Sequence, residues 1–165
     1  MTMKVKTVQI NHPAVWILVV FNMILGFVWY SPYFFGNEWM KLLGKDMEFF
    51  KNAGIMPFIV AFITSVVTMY TLAWFFKKLQ VKNFFMGLTY GVMIWFGFVF
   101  CELLTIDQFE LRHYGLTWLN AGKALVSYAV AGFLLGFWNR FSETEAPDIA
   151  PANVSPEGSN DRPVN

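Results

Sequence analysis

The sequence predicts an all-α protein: an integral membrane four-helix bundle, with an interfacial amphipathic helix after the first span and a disordered C-terminal tail. Three observations predict it. Four apolar runs, residues 14–35, 55–76, 84–106 and 116–138, carry at most one charged residue each. Each reaches the roughly 20 residues needed to cross about 30 Å of hydrocarbon, and backbone in lipid must satisfy its own hydrogen bonds, as a helix does. The chain is 56% hydrophobic and 14% charged, against about 25% charge in soluble domains. Finally, the first run ends in Trp29-Tyr30-Ser31-Pro32-Tyr33-Phe34-Phe35-Gly36, where rings that stay apolar while their N–H or O–H stays wet mark a membrane rim.

The first span follows Lys4 and Lys6. A cleavable signal segment has an apolar stretch of about 7–15 residues ending in small residues; this one is longer and ends in aromatics, which predicts an uncleaved span. Asn11 or His12 can cap it, with Pro13 in the first turn, where a missing N–H costs nothing. Pro32 stops it and Gly36 allows a turn.

Between the first two spans, residues 37–54 place Trp39, Met40, Leu43, Met47 and Phe50 on one helical face and Lys41, Lys45, Glu48 and Asn52 opposite. That pattern predicts an amphipathic helix lying in the interface, against the alternative of an irregular loop. The connection from Lys77 to Asn83 is short and basic, as an antiparallel helix pair requires. The membrane domain therefore covers residues 1–141. Residues 142–165 hold four of the seven prolines and almost nothing large and apolar, so they cannot bury enough surface to offset their chain entropy and are predicted to be disordered. Acids outnumber bases by four in this tail, which leaves about +5 in the body.

Lys4, Lys6, Lys77, Lys78, Lys82 and Arg140 fall on one side of the membrane, and Lys41, Lys45, Lys51 and Arg112 on the other. The excess of basic residues places both termini in the cytoplasm. A net charge of +1 without a basic cluster argues against nucleic acid as a partner; the implied partner is the lipid bilayer. The single cysteine, Cys101, excludes an intrachain disulfide and a CxxC pair.

Helical projection predicts how the spans meet. Asn22, Gly26 and Trp29 align in the first; Ala61, Thr64, Thr68 and Thr71 in the second; Gly87, Gly91, Ile94, Phe98 and Glu102 in the third. The fourth has two stripes, Gly122, Ala129, Gly132 and Gly136, and Asn120, Lys123, Ser127 and Ala131. Small residues let helices approach closely in lipid, where no hydrophobic drive joins them. Two stripes on one helix leave a face for a second protomer, which admits a homo-oligomer.

Glu102 and Lys123 are the ionisable residues within spans, and such groups pair or work because a charge in the bilayer is costly. Both lie toward the outer ends of their spans, at the level of Trp29 and Tyr30, so no charge is expected in mid-membrane. One expectation is an outward-facing polar pocket of Trp29, Tyr30, Glu102, Asn120 and Lys123 for a small solute whose identity the sequence does not give. The alternatives are a structural Glu102–Lys123 pair, or two side chains snorkelling separately. Trp29 shares the inward stripe and reads as a wall of this mouth, whereas Tyr30 and Phe34 are left as lipid-facing anchors. Asp107, Glu110 and His113 recur every third residue, but a solvated loop explains them better than a metal site. No catalytic or phosphate-binding motif is present, so neither an enzyme nor a cofactor is expected.

The chain resembles the small bacterial membrane proteins grouped as domain-of-unknown-function family 1761. The resemblance rests on Asn11 with Ala14-Val15, on Gly26-x-x-Trp29-Tyr30-Ser31-Pro32 running into Phe35-Gly36-x-x-Trp39, on Trp95-Phe96-Gly97-Phe98, and on Leu119-Asn120-Ala121-Gly122 with Gly136 and Trp138. It covers about residues 8 to 140. It implies a four-span protein of a bacterial cytoplasmic membrane without a settled activity. Where relatives tend to carry a Tyr pair after Asn-x-Gly, this chain has Lys123-Ala124, a departure that sets Lys123 apart from any role common to the family. The function expected is a non-enzymatic structural or accessory bundle that self-associates, the alternative being a solute or ion transporter with its pocket around Glu102.

Overall fold

A computed structural model describes residues 4–138 and 140–145. Four helical stretches in it are long and apolar enough to cross a membrane: His12–Trp29, Met56–Lys78, Phe84–Phe109 and Tyr114–Phe137. The first is α1. Asn11 caps it, its Oδ1 accepting from the Ala14 amide and its Nδ2 donating to the Trp138 carbonyl. The residue that starts the first span therefore also ties down the end of the last. His12 is left to meet the Tyr70 hydroxyl at 3.2 Å.

Beyond Trp29 the chain folds back tightly. The Phe35 amide donates to the Trp29 carbonyl and the Gly36 amide to the Ser31 carbonyl. A Cβ on Gly36 would lie 2.3 Å from the Tyr30 carbonyl oxygen, so close approach of backbone to backbone demands glycine there. The connection that follows is two short helices, α2 (Gly36–Leu43) and α3 (Met47–Asn52), where one amphipathic helix is expected. Gly44 in the left-handed region closes α2, and the Asp46 carboxylate, accepting from the Phe49 amide, opens α3. The apolar face survives the break, with the Trp39 ring 4.8 Å from both Tyr30 and Phe50.

The second span is α4 (Met56–Lys78), and the third is composite: α5 (Phe84–Ile94), a π-helical segment (Trp95–Phe100) and α6 (Cys101–Phe109). The fourth, α7 (Tyr114–Phe137), is the hub. It packs most extensively on α5, then on α1, and more lightly on α4, which leans chiefly on α1. On the α5 side, a Cβ on Gly87 would come within 2.2 Å of the Gly132 carbonyl oxygen, and one on Gly91 within 2.5 Å of that of Tyr128. Gly136 approaches the Asn83 carbonyl in the same way. Such contact lets dispersion join helices in lipid.

Two clusters fill the interior. Val15, Leu18, Val19, Met69, Leu72, Phe76, Ala131 and Leu135 form the core of the half that holds the termini. Trp95, Phe100 and Ala121 form a smaller one in the half near α2, here called the mouth. Large apolar residues such as Phe27, Phe62, Phe85 and Phe98 face outward, as lipid permits.

Two inward stripes differ from expectation. On α4 the buried residues are Ser65, Met69, Leu72, Ala73 and Phe76. That is one residue, about 100°, from the Thr64 and Thr68 stripe, and leaves Ala61, Thr64 and Thr71 exposed and Thr68 half-buried. The Thr64 hydroxyl returns to the Val60 and Ala61 carbonyls, so its polarity gives no reason for burial, and the bulkier Met69–Leu72 ridge interlocks with α1 instead. In the third span, Gly87, Gly91 and Trp95 face inward at spacing four, and the next buried positions are Phe100 and Asp107. The π-helical segment widens the turn and shifts the phase, which rotates Phe98 and Glu102 to the outside.

Outside the bundle, β1 (Lys4–Gln9) pairs antiparallel with β2 (Arg140–Glu145), from Lys4 opposite Glu145 to Gln9 opposite Arg140. The Val8 amide also donates to Gln80 Oε1. Residues 142–145, assigned to the disordered tail on composition, are thus a strand; a partner strand supplies the hydrogen bonds that composition alone could not foresee. The rest of that predicted tail lies outside the described residues.

Candidate functional site

The expected mouth pocket resolves into two inter-helix locks and one residue turned away. In the upper lock, the Tyr30 hydroxyl donates to Asn120 Oδ1 at 2.9 Å, and Trp29 Nε1 donates to the Leu119 carbonyl at 3.2 Å. The Trp29 ring closes on Gly122, where a Cβ would lie 3.3 Å from it. Trp29 is a wall of the bundle, as its stripe predicts. Tyr30 is not the lipid anchor that its place in the aromatic rim suggests, because its hydroxyl finds a partner inside. Trp95 repeats the arrangement from the third span, donating to the Ala121 carbonyl at 2.9 Å.

The lower lock is built around Asn22. Its Oδ1 accepts from Lys123 Nζ and from the Ser127 hydroxyl, each at 2.8 Å, and its Nδ2 donates to the Ser65 hydroxyl. One side chain of α1 thereby joins α4 and α7. Asn22 lies ten residues into α1, and Ser127 ten residues from the end of α7, so at about 1.5 Å per residue both sit near the middle of a core of about 30 Å. The Lys123 stem passes over Gly26, where a Cβ would lie 3.8 Å from its Cε.

A cation therefore does reach mid-membrane, contrary to expectation. The backbone of Lys123 starts toward the mouth, but its ammonium is drawn inward by Asn22 rather than outward to headgroups. Asn22 is its one hydrogen-bond partner among the described residues. Ser65 and Ser127 complete the lock and are both buried. Periodicity placed Ser127 beside Lys123 but gave no signal for Ser65, because it set the neighbouring Thr64 on the inward face instead.

Glu102 does not join. It is exposed on the outer face of the third span and has no ion-pair partner among the described residues, so a direct Glu102–Lys123 pair is absent from this arrangement. The inward carboxylate is Asp107, only 2% exposed. Its Oδ2 accepts from the Thr117 hydroxyl at 2.7 Å, and Arg112 Nη1 lies 3.7 Å from its Oδ1. Arg112 also binds Glu110 through Nε, while His113 caps α7 by accepting from the Gly115 amide. Asp107 and Glu110 thus share Arg112 while His113 serves its own helix start, and no three His, Cys, Asp or Glu side chains gather as a metal site would need among the described residues.

A four-span helical membrane bundle, locked at two levels by aromatic and amide side chains, is the class that these features define. The family model described as "Protein of unknown function (DUF1761)" matches residues 13–136, and the chain belongs to that family. The matched region takes in both locks, the π-helical segment and the glycine contacts between α5 and α7. No curated protein and no solved structure matches the chain.

Proposed function

We propose that this protein is a non-enzymatic structural or accessory component of a bacterial cytoplasmic membrane, with both termini in the cytoplasm, that associates with a second copy of itself. The observation that carries the reading is Asn22, whose amide bridges three helices of one chain. Polar side chains at membrane depth are here used as internal glue. The two stripes of α7, which suggested a second protomer, are both covered within the chain: Gly132 and Gly136 by α5, Lys123 and Ser127 by α1. A second copy is better served by the mouth half of α4. Ala61 and Thr64 are exposed there, and the Thr64 hydroxyl is already satisfied by its own helix.

The test is cysteine cross-linking of Ala61→Cys in native membranes, combined with mass measurement of the detergent-solubilised protein. Disulfide-linked dimers at Ala61→Cys, absent when the cysteine is placed at Phe27, support the reading; a monomer in both assays refutes self-association.

A second reading, transport of a small solute or ion, is favoured by Lys123, an interior ammonium with no carboxylate partner among the described residues. Its centre would be Lys123 rather than Glu102. Thermal unfolding across a panel of small anions separates the two readings. A stabilisation lost in Lys123→Met supports transport, and an unchanged midpoint throughout supports the structural role.

A further inference from the structure

We propose that the groove between α4 and α5, floored by Tyr128 of α7, binds a neutral lipid-soluble molecule with a ring-sized head bearing a carbonyl group. The groove holds about 170 Å³ and is lined by Val67, Thr68, Thr71, Leu72, Phe75, Ile94 and Tyr128. For scale, an engineered cavity of about 150 Å³ accommodates benzene. It exists because α4 leans on α1 and leaves α5 to α7, so the bundle is open along this seam.

Three of its lining residues, Thr68, Thr71 and Tyr128, carry hydroxyls, and none of these has a hydrogen-bond partner among the described residues. Two other threonines of these spans satisfy themselves. Thr64 and Thr105 each return their hydroxyl to a carbonyl of the preceding turn, the usual solution where water is missing. An unpaired hydroxyl in an apolar medium is costly, and three around one ring-sized space point to an acceptor carried in by a ligand.

Depth selects the class. Thr71 is seven residues, and Thr68 ten residues, from the end of α4; Tyr128 is nine from the end of α7. At about 1.5 Å per residue these hydroxyls lie about 10–15 Å inside the terminal end of the bundle. A charged headgroup would be too costly to bring there. A neutral carbonyl can accept from the hydroxyls while its apolar remainder lies against Val67, Leu72 and Phe75. Thr71 also borders a second hollow of about 330 Å³, lined by Ile10, Tyr70 and Trp74, which gives an apolar tail somewhere to run.

The test uses the full chain in phosphatidylcholine nanodiscs, with benzophenone as a photoreactive ring carbonyl and acetophenone as competitor. The expected result is saturable labelling concentrated on residues 67–75, displaced by acetophenone. Thr71→Val and Tyr128→Phe should each weaken it about fivefold, the effect of losing one hydrogen bond. Thr64→Val should leave it unchanged, and circular dichroism with thermal unfolding should show all three variants folded. Labelling that is non-saturable and spread over every lipid-facing helix overturns the proposal. So does labelling indifferent to both variants. Cross-links between two copies through Val67→Cys would show the groove covered by a second protomer, and would overturn it as well.

Discussion

Asn22 concentrates more of the interior's polarity than any other residue described. An amide in hydrocarbon must use both its oxygen and its nitrogen, and Asn22 does so by accepting twice and donating once. Asn22→Leu strands the Lys123 ammonium and the Ser127 hydroxyl together. We expect a loss of about 1–2 kcal/mol, the upper part of the range for hydrogen bonds between membrane helices, read as a lower thermal midpoint in detergent. Combining Asn22→Leu with Lys123→Met should cost less than the sum of the two single changes, because the second removes the charge that the first leaves unpaired. Simple additivity would mean that the two side chains do not interact. Asp107 is the corresponding residue near the mouth. Asp107→Asn keeps the Thr117 contact but loses the attraction of Arg112, and should destabilise, whereas Glu102→Gln should be silent because Glu102 faces outward. Equal effects at both positions would contradict the placement of these two carboxylates.

Among the elements, the third span shows how local helix geometry decides which residues matter. A straight α-helix would carry the Gly87–Gly91 face on through Ile94 and Phe98 to Glu102, and this is what periodicity predicts. The π-helical turn at Trp95–Phe100 moves the face by one residue, so Phe100 and Asp107 take the inner positions. Deleting Gly97, whose side faces open space, should rewind the segment and swing Asp107 away from Thr117. The deletion should therefore lower the thermal midpoint at least as much as Asp107→Asn does; an unaffected protein would mean that the phase shift has no structural consequence. The charge-swapped pair Glu102→Lys with Lys123→Glu should be no more stable than the worse single change, since the two side chains do not meet. The α5–α7 contact is the element-scale counterpart of the Asn22 lock. At Gly132, where a Cβ would sit 2.3 Å from the Gly87 carbonyl oxygen, a leucine forces the helices apart. A loss of about 1–3 kcal/mol follows from overpacking, with loss of folded yield in the membrane as the readout.

For the whole molecule, an even number of spans brings both chain ends to one side, and the β1–β2 pair joins them there. Tags at the two ends should accordingly be accessible from the same side of sealed vesicles; accessibility from opposite sides would refute a four-span topology. The bundle is organised around α7, with α5 and α1 on its flanks and α4 outermost on α1. That order leaves α4 open on the side toward α5. Its mouth half presents Ala61 and Thr64, suited to another helix, and its terminal half opens on the hydroxyl-lined groove.

Run length and composition alone determined the number of spans and the membrane class, because the hydrocarbon sets a length and a polarity that a sequence must meet. The tight approach of Gly87 and Gly91 to α7 was legible for the same reason: only glycine permits it. Tertiary structure decided the rest. Whether a polar residue points inward depends on what it can bond to across the bundle, which is why Tyr30 turned in to Asn120, Lys123 was drawn down to Asn22, and Thr64 stayed outside with its own backbone. The phase of a helix beyond a π-helical turn, and the seam that opens when one helix leans on one neighbour rather than two, are properties of packed helices together. No single stretch of this sequence carries them.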